Sequence, residues 1–222
     1  HRAHPQSLLK PILILLNGEL PFPARVRALA RKARRVFCAD GGARHAARLG
    51  IEPRVVIGDM DSLPKPLPRW KRAVFLCDFS EERSDFAKAL ELAASSGVRE
   101  VWVAGALGGR LDHLLVNLSL AERFAPGLRV VFVDQGAMFL AARGRHTLPC
   151  RAGETVSIVP ATSTVSVLSR GLKFPLRGEV LGKGSRGLSN QAIAARAAIT
   201  VLRGKAWIVC NHDGLARSLK RG

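Results

Sequence analysis

Two aspartates, Asp59 and Asp61, stand one residue apart directly after the apolar run 55–58. The β-branched residues of this run predict the end of a buried strand, and Gly58 allows the chain to turn. Carboxylates at this spacing can face one crevice, where they repel each other unless a cation or a proton relieves them. Such oxygen ligands suit Mg²⁺, which commonly works with substrate phosphates. A solvated polar turn would use the same residues, so the pair gains weight only from the rest of the chain.

A second polar cluster, Asp40-Gly41-Gly42, follows the short apolar run 36–39. Glycines between a strand and the first turn of a helix expose backbone N–H groups that can bind an anion. An ordinary strand-to-helix turn with Asp40 as a cap is the alternative interpretation.

The third cluster consists of Ser84, Asp85 and Lys88 at the beginning of an amphipathic helical pattern over 84–95. Ser84 is a candidate N-cap, and Asp85 lies where a negative charge complements the helix dipole. Lys88 follows one turn later, where it can reach a phosphate or pair with Asp85.

The fourth cluster is the segment 108–113, which has the sequence G-G-R-L-D-H, together with Asn117. Arg110, His113 and Asn117 have the spacing of one helical face, which is predicted to lie opposite the leucines of the same helix. A solvated polar stripe would have this pattern too. However, all four clusters come at predicted strand ends, and open parallel sheets bind ligands at the carboxyl ends of their strands.

The elements that must position these residues alternate along the first part of the chain. Apolar runs predict strands at 11–16, 36–39, 55–57, 73–77, 101–104 and 130–133, and amphipathic patterns predict helices at 24–33, 43–49, 84–95 and from 111 onward. Strands that alternate with helices imply right-handed crossovers and a parallel sheet.

The pattern changes near residue 142. Short β-like runs follow at 146–149, 155–159, 164–168, 199–202 and 206–209, separated by turns rich in Gly, Pro and Ser. This favours a small antiparallel sandwich or barrel. With the boundary placed near Gly144, residues 1–144 are predicted to form an α/β domain and residues 145–222 a β domain.

The net charge of +18 in 222 residues makes nucleic acid an obvious candidate partner. Against this, the basic residues are spread along the chain, tyrosine is absent and aromatic residues are only 5%, so base-stacking platforms are scarce. We therefore expect no nucleic-acid partner. No apolar run reaches the roughly 20 residues of a membrane-spanning helix. Four scattered cysteines without a C-x-x-C pair favour reduced thiols and a cytoplasmic location.

Taken in order, the motifs resemble those of the thiamine pyrophosphokinase family. They are A-D-G-G at 39–42, G-D-M-D-S at 58–62, S-D-F-A-K-A-L at 84–90 and G-G-R-L-D-H at 108–113. In the second part of the chain, G-L-K-F-P-L at 171–176 and G-L-S-N at 187–190 resemble that family's thiamine-domain signature and substrate-contact motif. The resemblance extends from about residue 12 to residue 209.

The resemblance implies a Rossmann-like parallel α/β domain followed by an antiparallel β-sandwich. It also implies a homodimer with active sites between subunits, which transfers pyrophosphate from ATP to thiamine and yields thiamine diphosphate and AMP. Asp59, Asp61 and Asp85 would hold Mg²⁺ and, together with Asp112 and Arg110, form the catalytic group. The ATP-binding set would be Asp40, Gly41, Gly42, Ser84, Lys88, Arg110, His113 and Asn117, and Ser189 and Asn190 would bind thiamine.

Two alternatives stay open at this point. A related pyrophosphokinase could act on another heterocyclic alcohol, such as a hydroxymethylpterin, although the G-L-K-F-P-L and L-S-N strings favour thiamine. A basic nucleic-acid-binding protein would explain the charge of +18. That protein would present a contiguous face of arginine and lysine and would have no use for the aspartate cluster.

Overall fold

The computed structural model describes residues 10–80, 82–134 and 136–211. These residues form a mixed α/β fold in which four helices accompany one continuous twelve-stranded sheet. The first part contains strands β1 (Ile12–Leu15), β2 (Arg35–Ala39), β3 (Val55–Gly58), β4 (Val74–Cys77), β5 (Glu100–Ala104) and β6 (Arg129–Asp134). Its helices are α1 (Pro23–Lys32), α2 (Gly42–Leu49), α3 (Asp85–Ser95) and α4 (Leu111–Phe124).

The six strands of this part are parallel, as the alternating pattern predicts, and they lie in the order β6-β5-β1-β2-β3-β4. Side chains of a strand alternate between the two faces of a sheet. Accordingly, Leu13 and Leu15 of β1 pack in the same cluster as the buried faces of α1 and α2. Ile12 and Ile14 pack in a second cluster with α3 and α4. Helices on both faces explain why these strands are almost continuously apolar.

The remaining strands pair antiparallel around one long strand pair, formed by β7 (Ala137–Pro149) and β12 (Arg196–Asn211). The other strands are β8 (Thr155–Pro160), β9 (Thr164–Arg170), β10 (Arg177–Gly182) and β11 (Asn190–Gln191). Strand β6 pairs antiparallel with β7 and thereby joins the parallel strands to the pair of β7 and β12. None of the helices within the described residues is both long enough and apolar enough to cross a membrane.

Strand β12 changes partners along its length. Residues 206–211 of β12 pair with β8, whereas residues 198–203 pair with β9, and the register shifts in between. The sequence predicts separate short runs at 199–202 and 206–209, but the structure has one strand. Gly144 and Gly204, both with positive φ, interrupt the apolar pattern while the strands continue through them. The short strands β10 and β11 were not predicted, because their residues are largely exposed and carry little apolar pattern.

Candidate active site

The carboxyl ends of β2 and β3 bring three acids together. Asp40 follows β2, and Asp59 follows β3, which lies beside β2 in parallel register. Carboxylate oxygens of Asp40, Asp59 and Asp61 all lie within 4.8 Å of one another. Neighbouring parallel strands end at the same edge of a sheet, and that shared edge produces the cluster.

The backbone at this edge is unusually turned. Asp40 has φ of 37° and Met60, between the paired acids, has φ of 70°, both in the left-handed region. Gly58 has φ of 150°, and a Cβ added there would lie 2.8 Å from Asp40 Cβ and 3.0 Å from Asp85 Cγ. Glycine at 58 therefore allows Asp40 and Asp85 to approach the same turn.

Asp40 is the most deeply placed acid of the cluster, with 9% of the residue exposed. Its Oδ1 is buried and has no hydrogen-bond partner among the described residues. Burial raises the pKa of Asp40 most; hydrogen bonds from Ser62 lower it, and the charges of Asp59 and Asp61 raise it. A buried carboxylate oxygen without a donor, beside two exposed carboxylates, is the arrangement that a divalent cation would relieve. The donor set fits Mg²⁺.

Asp85 lies next to this cluster at the first position of α3. Ser84 caps the helix as predicted, since its Oγ accepts a hydrogen bond from the Ala87 N–H at 3.3 Å. The Asp85 carboxylate binds Lys88 Nζ at 3.2 Å and faces the Gly58 turn. Burial raises the pKa of Asp85 most, the Lys88 bond lowers it, and Asp59 and Asp61 raise it.

Lys88 is a buried cation, with 4% of its side chain exposed. Besides Asp85, its Nζ donates to the backbone carbonyl of Asp78 at 2.7 Å. The Asp78 N–H in turn donates to the Gly58 carbonyl at 2.9 Å. Of the two alternatives left by the sequence, the structure shows the pairing with Asp85. Asp78 was missed, although it stands at the end of β4 at the same edge.

The Gly41-Gly42 turn packs closely against the end of β1. A Cβ on Gly42 would lie 2.0 Å from the Leu15 carbonyl oxygen, and one on Gly41 would lie 2.4 Å from Asn17 Cγ. His45 of α2 also contacts the loop after β1, with Nε2 2.7 Å from the Gly18 carbonyl oxygen. Sequence reasoning missed Asn17 and His45 at this edge. The Asn-Gly pair directly after a buried strand was the available signal.

Arg110 and Asp112 form an exposed pair at the start of α4. Arg110 Nε donates to Asp112 Oδ1 at 3.1 Å, and Nη2 donates to Oδ2. This bond is the main cause that lowers the pKa of Asp112, which therefore stays ionised. The Asp112 Oδ1 also accepts the His113 N–H at 2.9 Å.

The buried residues of α4 include one from its polar face. Asn117 is buried, at 8% exposure, whereas Leu111 is 70% exposed and Leu115 is also exposed. Asn117 and Ala121 are the buried residues of the helix, and which side of α4 is buried is set by how it packs against the sheet.

Ser189 and Asn190 are held within the antiparallel part. Ser189 has φ of 56°, and its N–H donates to Ser157 Oγ at 3.0 Å. The Asn190 amide bonds to the backbone of Phe174. The hydrogen bonds of these two residues run to their own surroundings rather than to the acid cluster.

The first part of the chain matches a sequence model of known proteins. Residues 26–132 match the family model described as "Thiamin pyrophosphokinase, catalytic domain". The matched range includes the Asp40, Asp59, Asp61 and Asp85 positions and the Arg110–Asp112 pair.

Similar proteins agree with this match. Thiamine pyrophosphokinase 2 of Arabidopsis thaliana is 26% identical over 195 residues, covering 74% of this chain and 72% of that protein. Thiamine pyrophosphokinase 1 of Oryza sativa subsp. japonica is 27% identical over 194 residues, covering 74% and 73%.

Solved structures share the fold over nearly the whole chain. The thiamine pyrophosphokinase of Bacillus subtilis superposes with a TM-score of 0.79 at 20% identity, covering 92% of this chain and 100% of that one. That of Geobacillus thermodenitrificans gives 0.77 at 25% identity, covering 91% and 97%. The catalytic-domain match over residues 26–132 and the relatives indicate the thiamine pyrophosphokinase family, and the solved structures show the same fold.

Proposed function

We propose that this chain is a thiamine pyrophosphokinase. It transfers the pyrophosphate group of ATP to the hydroxyl of thiamine, giving thiamine diphosphate and AMP. The observation that carries the proposal is the acid cluster of Asp40, Asp59 and Asp61, which lies at the strand edge inside the range matching the catalytic-domain model. Transfer of phosphoryl-type groups depends on positioning and charge neutralisation more than on covalent chemistry, and a divalent cation held at this edge would supply both.

Asp59, Asp61 and Asp85 are the proposed Mg²⁺ ligands. The same cation would relieve the buried Oδ1 of Asp40, which lacks a hydrogen-bond partner among the residues that the structure describes. When bound, Mg²⁺ would supply positive charge against the ATP phosphates. Lys88 has a supporting role. Its bonds to Asp85 and to the Asp78 carbonyl hold the first turn of α3 close to the Gly58 turn, to which the Asp78 N–H donates.

In this proposal, the polyphosphate of ATP binds at the start of α2 and at the start of α4. Gly41 and Gly42 offer backbone N–H groups at the N-terminus of α2. Arg110 is exposed, so its guanidinium can exchange Asp112 for phosphate oxygens, to which it can bind in a bidentate manner. Asp40, Ser84, Lys88, His113 and Asn117 complete the proposed ATP-binding set.

The chemistry is an in-line displacement at the β-phosphorus of ATP. The thiamine hydroxyl oxygen forms a bond to this phosphorus and gives up its proton to the medium. The bond between the β-phosphorus and the oxygen bridging to the α-phosphate breaks, and AMP leaves with the electron pair of that bond. Arg110 and the Mg²⁺ that the acids would hold are proposed to orient the phosphates. Thiamine, bound near Ser189 and Asn190, brings the hydroxyl.

We further propose that the two halves of the site come from different subunits of a homodimer. Ser189 and Asn190 bond locally to Ser157 and Phe174, and the acid cluster lies at the edge of the parallel strands. The proposed division is an α/β nucleotide-binding domain over 1–144 and a β-sandwich thiamine-binding domain over 145–222. All four cysteines are free thiols, in keeping with the proposed cytoplasmic location.

A coupled assay for AMP tests the function directly. Purified protein with ATP and Mg²⁺ is expected to release AMP when thiamine is added and to release little without it. A hydroxymethylpterin replaces thiamine in a parallel reaction and is expected to support no release. AMP release that does not depend on thiamine, or that occurs only with the pterin, would contradict the proposal.

A further inference from the structure

The edge at which the six parallel strands begin is strongly basic. Each of these strands has a basic residue at its first position or in the segment that leads into it. From β6 to β4 in the order of the sheet, these residues are Arg129, Arg99, Lys10, Arg34 with Arg35, Arg54, and Lys71 with Arg72. We call this set the basic row. The acid cluster lies at the other end of the same strands.

Hydrogen bonds to the backbone set neighbours of the basic row side by side. The Arg129 N–H donates to the Arg99 carbonyl at 2.8 Å. The Arg54 N–H donates to the Val36 carbonyl at 2.7 Å, and Arg54 Nη1 donates to the Arg72 carbonyl at 2.8 Å. Neighbouring strands lie about 4.8 Å apart, so six strands give a row about 24 Å long. The sheet therefore arranges these cations along a line.

The basic row keeps most of its charge. All of its members are exposed except Arg129, which is half-buried. Two acids, Glu52 and Glu100, lie in the same segments. Glu100 pairs with Arg129 at 3.2 Å, and Glu52 accepts the Arg72 N–H. These two carboxylates leave the row with a large excess of positive charge.

The positive charge continues past β6 into the antiparallel part. Strand β7 runs antiparallel to β6, so the residues that follow Ala142 lie beyond the start of β6. Arg143 and Arg145 are exposed there. Arg203 lies in β12 between the residues that pair with Gly144 and Ala142. A long anion could therefore contact cations of both parts of the fold.

The composition of this edge suits phosphate groups better than a lipid surface. The row is mostly arginine, whose guanidinium binds phosphate oxygens in a bidentate manner. Apolar residues of the same segments, such as Val98 and Leu128, are buried. Binding to a membrane surface draws on exposed apolar side chains as well as on charge.

The aromatic residue nearest in sequence to the basic row is already engaged. Trp70 precedes Lys71 and stacks on Phe75, with ring centroids 6.4 Å apart. Single-stranded nucleic acids are bound largely by stacking their bases on aromatic rings. A duplex is held through its phosphates and needs no such ring. The expectation of no nucleic-acid partner, which follows from scarce aromatic rings, therefore applies to single strands.

We propose that the basic row binds the phosphate backbone of double-helical nucleic acid without reading its sequence. The parallel strands have four to six residues, so this site lies roughly 13–20 Å from the acid cluster. It is separate from the proposed catalytic function and does not depend on it.

The test is the salt dependence of duplex binding by the full chain. Fluorescence anisotropy follows a labelled DNA duplex of about 20 base pairs and an RNA duplex of the same sequence, between about 50 and 200 mM salt. Each phosphate contact contributes about 0.9 to the slope of log K against log salt, so about five contacts predict a slope near −4.5. Binding of either duplex with this slope meets the prediction, and the tighter one identifies the preferred partner.

A triple variant locates the site. Arg34→Gln, Arg35→Gln and Arg99→Gln together remove three charges from the middle of the row. The slope is expected to flatten by about 3, and the Kd is expected to rise by at least roughly tenfold. Melting temperature and thiamine-dependent AMP release should stay unchanged, because the row is far from the acid cluster.

The matched control removes the same charge elsewhere. Arg170→Gln, Lys183→Gln and Arg186→Gln alter exposed residues of the antiparallel part. This variant is expected to keep the slope of the wild-type protein. Equal flattening by both triple variants would show a diffuse effect of the net charge of +18 and would overturn the proposal.

Other outcomes would overturn it as well. These are a wild-type protein that binds neither duplex, a single strand that binds more tightly than the duplexes, and vesicles of anionic lipid that bind when the duplexes do not. Failure to release AMP with thiamine would overturn the proposed function alone, since duplex binding is measured without either substrate.

Discussion

The acidic edge of the parallel strands and the bonded pair of Asn190 and Phe174 use polar side chains in opposite ways. At the acidic edge, Asp40 Oδ1 is buried and has no hydrogen-bond partner within the described part of the chain, and like charges lie within 4.8 Å of one another. Around Asn190, one amide satisfies three backbone groups. Buried polar groups are normally paired, so an unpaired one marks a place prepared for a ligand. An amide that is largely taken up by backbone groups holds those groups in place.

The largest expected effect comes from removing a charge at the acidic edge. Asp59→Asn or Asp61→Asn should each lower turnover by roughly 100-fold or more, because loss of one carboxylate weakens Mg²⁺ positioning, and even indirect supports of metal sites contribute about 10–100-fold. Thiamine-dependent AMP release at limiting Mg²⁺ is the measurement. Glu91→Gln, which alters an exposed carboxylate of α3 paired with Arg83, is the matched control and should remain active. Near-normal activity of both aspartate variants would show that Asp59 and Asp61 do not bind the Mg²⁺ needed for the reaction.

The second prediction concerns whether the acid cluster of one subunit and the Ser189–Asn190 segment of its partner form one active site. An Asp61→Asn protein and a Ser189→Ala, Asn190→Ala protein, assayed at low thiamine, should each be nearly inactive and should recover activity when mixed. Random exchange makes half of the dimers mixed, each with one intact site, so about a quarter of the wild-type sites should return.

A chain that carries all three substitutions, mixed with Asp61→Asn protein, is the control and should restore nothing. Failure to recover after subunit exchange has been demonstrated by mass spectrometry would place the whole site in one chain. A protein that sediments as a monomer at assay concentration would contradict the dimer itself.

A smaller effect is expected on stability, because an unsatisfied buried acid opposes folding. Burial raises the pKa of Asp40 above its unfolded value, so its contribution to stability is present below that unfolded pKa and is lost as the pH rises through the folded one. In the metal-free protein, Asp40→Asn should therefore melt higher at neutral pH, with each kcal/mol giving about 2–4 °C, and the gain should vanish below about pH 4.

Calorimetric melting in a chelating buffer measures this difference. Added Mg²⁺ should stabilise the wild-type protein more than the Asp40→Asn variant, because the variant lacks one carboxylate. A variant that melts lower than wild type at neutral pH would show that Asp40 is already satisfied by the fold.

The smallest effect is expected at the exposed Arg110–Asp112 pair. Both side chains are mostly solvated, so Asp112→Asn should leave the melting temperature unchanged. Arg110→Ala should likewise melt normally but raise the KM for ATP, because its guanidinium is proposed to bind phosphate. Parallel melting and steady-state kinetics separate the two readouts, and a drop in melting temperature would give this pair a structural role.

Local patterns in the sequence determined much of the first half of the molecule. The predicted strands at 55–57 and 101–104 and the helix at 84–95 agree with β3, β5 and α3 to within one residue at each end. Buried parallel strands are continuous apolar runs, and Ser84 caps its helix through a neighbour three residues away. Such signals lie within one short stretch of chain, so they survive without tertiary information.

Only the tertiary structure decided which polar residues meet. Asp40 joins Asp59 and Asp61 because β2 and β3 are neighbours. Lys88 bonds to Asp78 as well as to Asp85 because its side chain extends from α3 to the residue that follows β4. The burial of Asn117 depends likewise on how α4 docks. The Asn190 amide is taken up by Phe174, 16 residues earlier in the chain. Residue types and spacing give the chemistry that each side chain can perform, whereas its partner is set by contacts between distant segments, which no local pattern encodes.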